Sequence, residues 1–516
     1  MEKLGYSRMA LVVSVFCAAM TIAASAQTFT TLAKFDQKDG GNPVAGPLVQ
    51  GPNGNLYGTS SEGGTNCNIG VNDDGCGSVF EVTPAGKLAA IYSFCPQVSC
   101  TDGESPQRAL VLAANGNFYG STLQKGMNGY GTIFEVTPAG KLTTLYSFCF
   151  QTNCADGVNP SRLLQAADGN FYGETEEVDR DAGTVFEITA TGNLTTLYSF
   201  CSQPNCADGE IPWGGLVQGT DGNFYGVTNS GGPYAGGNVF KLSPNGSGGW
   251  TENLLYSFCA HRNTNGSCTD GGGPEGALLE APNGNFYGTT VSGGANGLGG
   301  TVFEVTPDGT LTTLYNFCSE TGARGICLDG SEPAGQLVQA SDGNFYGTTS
   351  LGGVPCNSSS RYQEGCGTAF RITPAGEFTP IYNFCSQGGC PDAGLYPDAG
   401  LAQATNGTFY GLTYAGGDLG RCNSGGCGTI FSLSLGLPPF VEAVPNFGKA
   451  GRVVGILGNN LTGASSVTFN GTPATFTVIS ATAIKATVPT GVTRGKIEVV
   501  TPSGTLSSNV AFQVLP

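Results

Sequence analysis

The sequence predicts an all-β protein: a seven-bladed β-propeller followed by a small β-sandwich. Three observations carry that reading. One hairpin is written seven times: "NGNLYG" at 53–58, "NGNFYG" at 115–120 and 283–288, "DGNFYG" at 168–173, 221–226 and 342–347, and "NGTFYG" at 406–411. The repeat tyrosines, from Tyr57 to Tyr410, lie 53 to 64 residues apart, room for four short strands and generous loops. The composition agrees, with 84 Gly, 10% aromatic and only 11% charged residues. Such a chain suits tight turns between strands and is far from the highly charged composition of disorder.

Each repeat unfolds in the same order. In 334–384, "AGQLVQA" is a first strand, "SDG" a turn and "NFYGTT" a second strand. A Gly-rich loop leads to "GTAFRITP", and "AG" turns into "EFTPIYNF". Asn-Gly and Asp-Gly between alternating apolar runs are strong hairpin signals. The third strand also occurs seven times, at 77–84, 131–138, 183–190, 237–244, 300–307, 367–374 and 428–435. No fourth strand follows the last, since "GLPPF" comes next; "TFTTLAKF" (28–35) instead stands alone ahead of the first repeat. A ring accounts for both: the first strand completes the last blade and leaves no open sheet edge. A β-solenoid would need polar caps at each end.

Upstream, Lys3 and Arg8, the apolar 9–24 stretch and "ASA" (24–26) fit an export signal cleaved before Gln27. Residues 1–26 are therefore the expected signal peptide, 27–436 the propeller and 437–516 the sandwich. Of 19 Cys, Cys17 falls in the leader, and the rest form an even set, expected as disulfides in a secreted, cell-surface or periplasmic protein. All are expected in the longer loops. The simplest pairing joins neighbours: Cys67/Cys76, Cys95/Cys100, Cys149/Cys154, Cys201/Cys206, Cys259/Cys268, Cys318/Cys327, Cys356/Cys366, Cys385/Cys390 and Cys422/Cys427. Zinc is the rival for such Cys pairs, but His261 is the only histidine. A net charge of −17 argues against nucleic acid and anionic lipid, and no apolar stretch after the leader is long enough to insert in a membrane.

In an up-and-down blade the tight turns share one face, and the variable loops with the blade links share the other. Function is expected on the loop face. Each link carries an Asp motif: Asp39, Asp102, Asp156, Asp208, Asp270, Asp329 and Asp392 either form a ring of carboxylates or serve as Asp-Gly turns ahead of the next blade. The acidic loop "ETEEVDRDAG" offers Glu174, Glu176, Glu177, Asp179 and Asp181 to Ca²⁺, or is simply solvated. Trp213 and Tyr234 are candidate stacking surfaces for a sugar, and His261 a candidate base or an exposed loop residue. No phosphate loop, dinucleotide fingerprint or nucleophile elbow is present, and no cofactor besides Ca²⁺ is implied.

The stretches "GTVFEVTP" (300–307) and "LTTLYSF" (142–148) resemble the GloVer tandem repeat of exported bacterial proteins, a likeness covering nearly all of 28–436. It implies export and carries over no catalytic residues. Beyond "LPPF" (437–440), Pro445, Gly451, "GNNL" (458–461), "VTFNG" (467–471), "VP" (488–489) and "VVTPSG" (499–504) resemble the IPT/TIG immunoglobulin-like domain, which implies a spacer or a contact module. Together these features predict a binding protein whose loop face meets a glycan or an extracellular protein. An extracellular polysaccharide hydrolase or lyase, and a structural or adhesive envelope protein, are the alternatives.

Overall fold

The computed structural model describes residues 27–515 apart from 45, 66–74, 98, 178–182, 356–363, 387–393, 419–421, 423 and 424. Among the described residues, seven antiparallel sheets precede residue 436. The first holds Val49–Gln50, Leu56–Ser60, Ser78–Val82 and Leu88–Ser93 in spatial order. The last orders Leu401–Gln403, Phe409–Thr413 and Thr429–Ser434, and its outer strand is Thr28–Lys34 from the start of the chain. Thr28 pairs with Ser434 and Lys34 with Thr429. The ring is closed by the strand that the sequence leaves over.

The repeat motif spells out how one blade grips the next. Tyr57 in the second strand lies against Phe118 of the following blade at 4.2 Å between ring centroids. The same pair recurs as Tyr225–Phe286 at 4.0 Å and Tyr346–Phe409 at 4.4 Å. At the ring's seam Tyr410 meets Leu56, the one place where "NLYG" replaces "NFYG". A second contact sits farther out. The Phe that ends each fourth strand meets the third-strand Phe of the next blade edge to face, from Phe94–Phe134 at 5.2 Å to Phe384–Phe431 at 5.2 Å. Its seam member is Phe35–Phe80 at 5.0 Å. Glycine in "FYG" is dictated by packing, since a Cβ on Gly120 would stand 2.6 Å from the Phe134 ring.

The turn chemistry differs between Asn and Asp hairpins. In the Asp blades the tyrosine donates to its own turn, Tyr346 Oη to Asp342 Oδ2 at 2.8 Å. In the Asn blades the turn amide donates to the phenol instead, so the phenol needs another acceptor. Tyr57 Oη therefore donates to Glu81 Oε1 of the third strand at 2.7 Å, a pattern repeated by Tyr119–Glu135 and Tyr287–Glu304. Burial and the facing carboxylate raise the Tyr119 phenol to about 12.

The Asp motifs of the links are spent on the scaffold. Asp156 is fully buried and accepts from Tyr146 Oη at 2.7 Å and from the Phe150 and Gln151 N–H groups at 3.0 and 3.1 Å. Asp102, Asp208, Asp270 and Asp329 take the equivalent tyrosine, and Asp39 instead accepts from the Asp36 N–H. Asp392 lies outside the described residues. The Asp-Gly glycines are obligatory: Gly103 has φ +99° and would place a Cβ 2.1 Å from Thr122 Oγ1. Asp156→Ala, by taking the buried acceptor away from three donors, is expected to cost about 2 kcal/mol in urea unfolding. An unchanged midpoint would show that the link does not depend on this carboxylate.

The structure joins Cys95 to Cys100, Cys149 to Cys154, Cys201 to Cys206, Cys259 to Cys268, Cys318 to Cys327 and Cys422 to Cys427, six of the neighbour pairs expected from the sequence. Cys67, Cys356 and Cys390, the expected partners of Cys76, Cys366 and Cys385, lie outside the described residues. Cys76 and Cys366 are both disulfide-bonded. The described cysteines lie between the named strands, in the loops and links where the sequence places them, and several are enclosed there: Cys95, Cys366 and Cys427 are fully buried. Cys366 packs with Ala369, Phe384, Cys385 and Leu395 between the last two blades, and its carbonyl accepts the Tyr396 N–H of the next link at 3.2 Å.

Residues 440–515 pack two four-stranded sheets around Ile456, Val467, Phe469, Ile484, Val499 and Phe512. This sandwich touches the tight-turn face of the ring at three blades. Asn459 and Asn509 donate to Thr405 Oγ1 at 2.8 Å and Gln403 Oε1 at 3.1 Å. Thr482 donates to Pro52 O at 2.8 Å, and Gln513 to Thr220 O at 3.3 Å. Those partners sit at first-to-second-strand turns of the last, first and fourth blades. The fourth lies across the ring from the other two, so the sandwich bridges that end of the central channel. Among the described residues no helix is long and apolar enough to cross a membrane.

Candidate functional site: the loop-face end of the channel

The first strands line the channel, and consecutive blades are bound there by side chains. Gln165 Oε1 accepts the Ala114 N–H, Gln218 Oε1 the Ala167 N–H, and Gln50 Oε1 the Thr405 N–H across the seam. Each first strand is entered through a proline whose Cδ packs beneath the glycine opening the preceding blade's third strand, as Pro160 does under Gly131. The scaffold repeats to this point. The next residue does not: it is Val44, Gln107, Ser161, Trp213, Glu275, Ala334 and Asp398 in the seven blades. The residue just before the strand's leucine varies as well, with Arg162 in the third blade and Gln336 in the sixth.

Five of the seven, Val44, Trp213, Glu275, Ala334 and Asp398, together with Arg162 and Gln336, face one another across a cavity of about 790 Å³ opening toward the loop face. Arg108, Arg162, Trp213, Glu275, Gln336 and Asp398 line it, with Glu332, Tyr396 and Tyr414 nearer the loops. Arg108 is buried, ion-paired with Glu176, and lies 4.8 Å over the Trp213 ring. The pairing fixes the guanidinium, and the guanidinium fixes the indole. Arg162 reaches across the ring to hydrogen-bond Gln336 Oε1.

Behind this wall Glu174 is fully buried and accepts the Gly215 N–H at 2.8 Å. The other blades carry Thr, Ser, Val or Leu at its position. Burial raises its carboxyl to about 8, against the opposing pull of Gly215, Arg108 and Ser161. At neutral pH it is largely an uncharged acid. Asp398 is raised to about 6, first by burial and then by Glu275 and Glu332, with Ser350 opposing. Glu275 is raised by burial and by Glu332, although Arg108 pulls the other way. Its Oε1 accepts from Asn229 Nδ2 at 3.2 Å. A cavity with carboxyls raised above their ordinary range, a held arginine and an indole can bind hydroxyl-rich groups and exchange protons with them.

The sequence-derived candidates separate in space. Trp213 lines the cavity. Tyr234 is half exposed and His261 exposed, in blade-four loops outside the cavity lining. Glu174 and Glu176 turn to Gly215 and Arg108 rather than into a common loop site, while Asp179, Asp181 and the Glu177 side chain lie outside the described residues. Sequence reasoning passed over Arg108, Arg162, Glu275, Gln336 and Asp398. Stacking the seven repeats and asking where they stop agreeing would have found them.

Several solved structures are loosely similar to the chain. A luciferin-regenerating enzyme is 13% identical, with 67% of this chain and 95% of that one covered and a TM-score of 0.40. The periplasmic gluconolactonase PpgL of Pseudomonas aeruginosa is 15% identical over 65% and 84%, with a TM-score of 0.40. An auxiliary nutrient binding protein of Bacteroides ovatus is 12% identical over 62% and 73%, with a TM-score of 0.38. No curated protein matches the chain. Residues 17–204, 68–268 and 205–431 match the Gloeobacter/Verrucomicrobia repeat, and 439–514 match the IPT/TIG domain. The chain belongs to the Gloeobacter/Verrucomicrobia repeat family and carries an IPT/TIG domain behind its repeats.

Proposed function

We propose that this is an exported binding protein whose channel, open on the loop face, takes a hydroxyl-rich small molecule or the end of a glycan chain. One observation carries the reading: at equivalent positions around the channel the scaffold repeats and the lining residue does not. A ring built only to be a ring has no use for Val44, Trp213, Glu275, Ala334 and Asp398 at positions that its scaffold makes equivalent. Trp213 offers a face for a sugar ring, and Glu275, Asp398 and Gln336 accept hydroxyl protons. The local disulfides suit an oxidising compartment, secreted, cell-surface or periplasmic. The acidic balance disfavours nucleic acid, and the sandwich serves as spacer at the far end.

The test is a thermal-shift screen of protein beginning at Gln27 against mono- and oligosaccharides. A true ligand raises Tm saturably, corresponding to about 2.7 kcal/mol at a hundredfold excess over Kd. Trp213→Ala and Glu275→Gln are expected to remove that rise without lowering the Tm of the free protein by more than a few degrees. A ligand whose effect survives both substitutions binds elsewhere, and the channel reading fails.

The raised carboxyls of Glu275 and Asp398 in one cavity favour a second reading, acid–base cleavage of the bound glycan. Shortened or unsaturated products that disappear in Asp398→Asn would establish it. Intact ligand after prolonged incubation leaves the binder.

A further inference from the structure

The two channel arginines differ in how their charge is met. Arg108 has Glu176. Among the described residues no carboxylate pairs with Arg162, and its one side-chain hydrogen bond goes to the amide oxygen of Gln336. Gly215, with φ +84°, makes room for it: a Cβ there would stand 3.2 Å from the Arg162 Cβ. The guanidinium is thus held across the channel by a neutral group, its remaining N–H donors in a cavity lined by protein. Burial without a counter-charge draws it down to about 10. Enclosing an uncompensated cation is costly, and binding proteins accept that cost where the ligand supplies the anion.

The opposite wall restricts which anion. Glu275, Glu332 and Asp398 line the same cavity, so a doubly charged phosphate ester would be repelled more strongly than a singly charged anion. A carboxylate brings one charge in a planar form that matches the guanidinium fork. The acidic wall then accepts hydroxyl protons from the rest of the molecule.

Building on the binding function proposed above, we infer that the channel selects a hydroxylated monocarboxylate, a sugar acid of the uronate or aldonate class, with Arg162 anchoring its carboxylate. Arg162 is the specificity-determining residue, and Gln336 the group that aims it.

The test is calorimetric titration of the chain from Gln27 with D-galacturonate, D-glucuronate and D-gluconate, each uronate beside its uncharged methyl ester and neutral hexose. At least one acid is expected to bind tenfold or more tightly than its uncharged counterpart. Arg162→Gln should erase that preference, and Arg162→Lys should keep part of it. Free Arg162→Gln protein should melt at or above the wild-type temperature, because the substitution removes a partly buried charge that no carboxylate meets. Should Arg162→Gln fail to fold, the acid-versus-ester comparison in wild type and Arg162→Lys still decides. Equal affinity for acid and ester, or a preference that survives Arg162→Gln, overturns the inference and leaves the binding function standing. Sulfate or phosphate binding as tightly as the acids would overturn the sugar-acid class. Absence of binding by every acid, ester and hexose would overturn the inference, and the oligosaccharide screen would then decide the binding function alone.

Discussion

Removing residues 28–35 is expected to abolish cooperative folding of the propeller, although the segment is a small fraction of the chain. It supplies the whole outer strand of the last blade. Phe29 stacks on Tyr382 at 3.9 Å and meets Phe384 and Phe431, and Phe35 is fully buried against Phe80. Losing two such aromatic side chains costs about 6–8 kcal/mol. The six strand pairs of the last sheet go with them, and Thr429–Ser434 becomes an open edge. The sum is comparable to the roughly 5–15 kcal/mol that holds an entire domain. The truncated protein should aggregate or melt without a sharp transition. Re-inserting the same eight residues after Leu435, through a tight turn like those of the other blades, should restore the transition. A cooperative melt of the simple truncation within a few degrees of wild type would refute the closing role.

Stability is expected to fall as pH rises from about 4.5 to about 8, a direction opposite to ordinary acid denaturation. Glu174 sets the sign. Its carboxyl moves from an ordinary 4.5 in the unfolded chain to about 8 in the fold. Between those values the unfolded state binds fewer protons than the folded one, so raising the pH favours unfolding. The group's contribution is whole below 4.5 and is lost as pH climbs through 8. Each unit corresponds to about 1.4 kcal/mol, which makes the change on the order of 3–5 kcal/mol. Glu252, raised to about 7 by burial and by the nearby Asp208, pushes the same way. Glu174→Gln keeps an acceptor for the Gly215 N–H and removes the titration. Urea unfolding should find it equal to wild type near pH 4.5 and at least about 2 kcal/mol more stable at pH 8. A parallel pH dependence in both proteins would show that Glu174 ionises normally.

The scaffold was legible because it is local. "DGNFYG" carries its turn, its hydrogen-bond acceptor and its packing partner within six residues, and repetition shows which features the ring needs. The orphan strand at 28–35 gave away the closure. The channel was not legible in the same way. Arg162 and Gln336 stand 174 positions apart and meet only because the third and sixth blades face each other. Trp213 was singled out as a possible sugar platform, but nothing local ties it to Arg108, which reaches it from two blades away. Tyr234 and His261 drew notice as unusual side chains, and exposure on outer loops is what made them unusual. The seven Asp motifs look like a charged ring until their tyrosine and backbone donors are seen. The docking of the sandwich rests on isolated amides and hydroxyls such as Asn459 and Thr482, residue types common in any loop.

The central claim is that the loop-face channel is where the ligand goes, and Trp213 can report on it directly. The chain has 2 Trp, and the other, Trp250 of the fourth blade, packs against Phe224 of its own blade and Tyr172 of the third. In Trp250→Phe protein all indole emission comes from the channel wall. Titrating that variant with a ligand from the thermal-shift screen should shift or quench the emission along the calorimetric binding curve, since the ligand displaces water from the Trp213 face and disturbs the Arg108 stack. Saturable binding that leaves the Trp213 emission untouched would contradict the account.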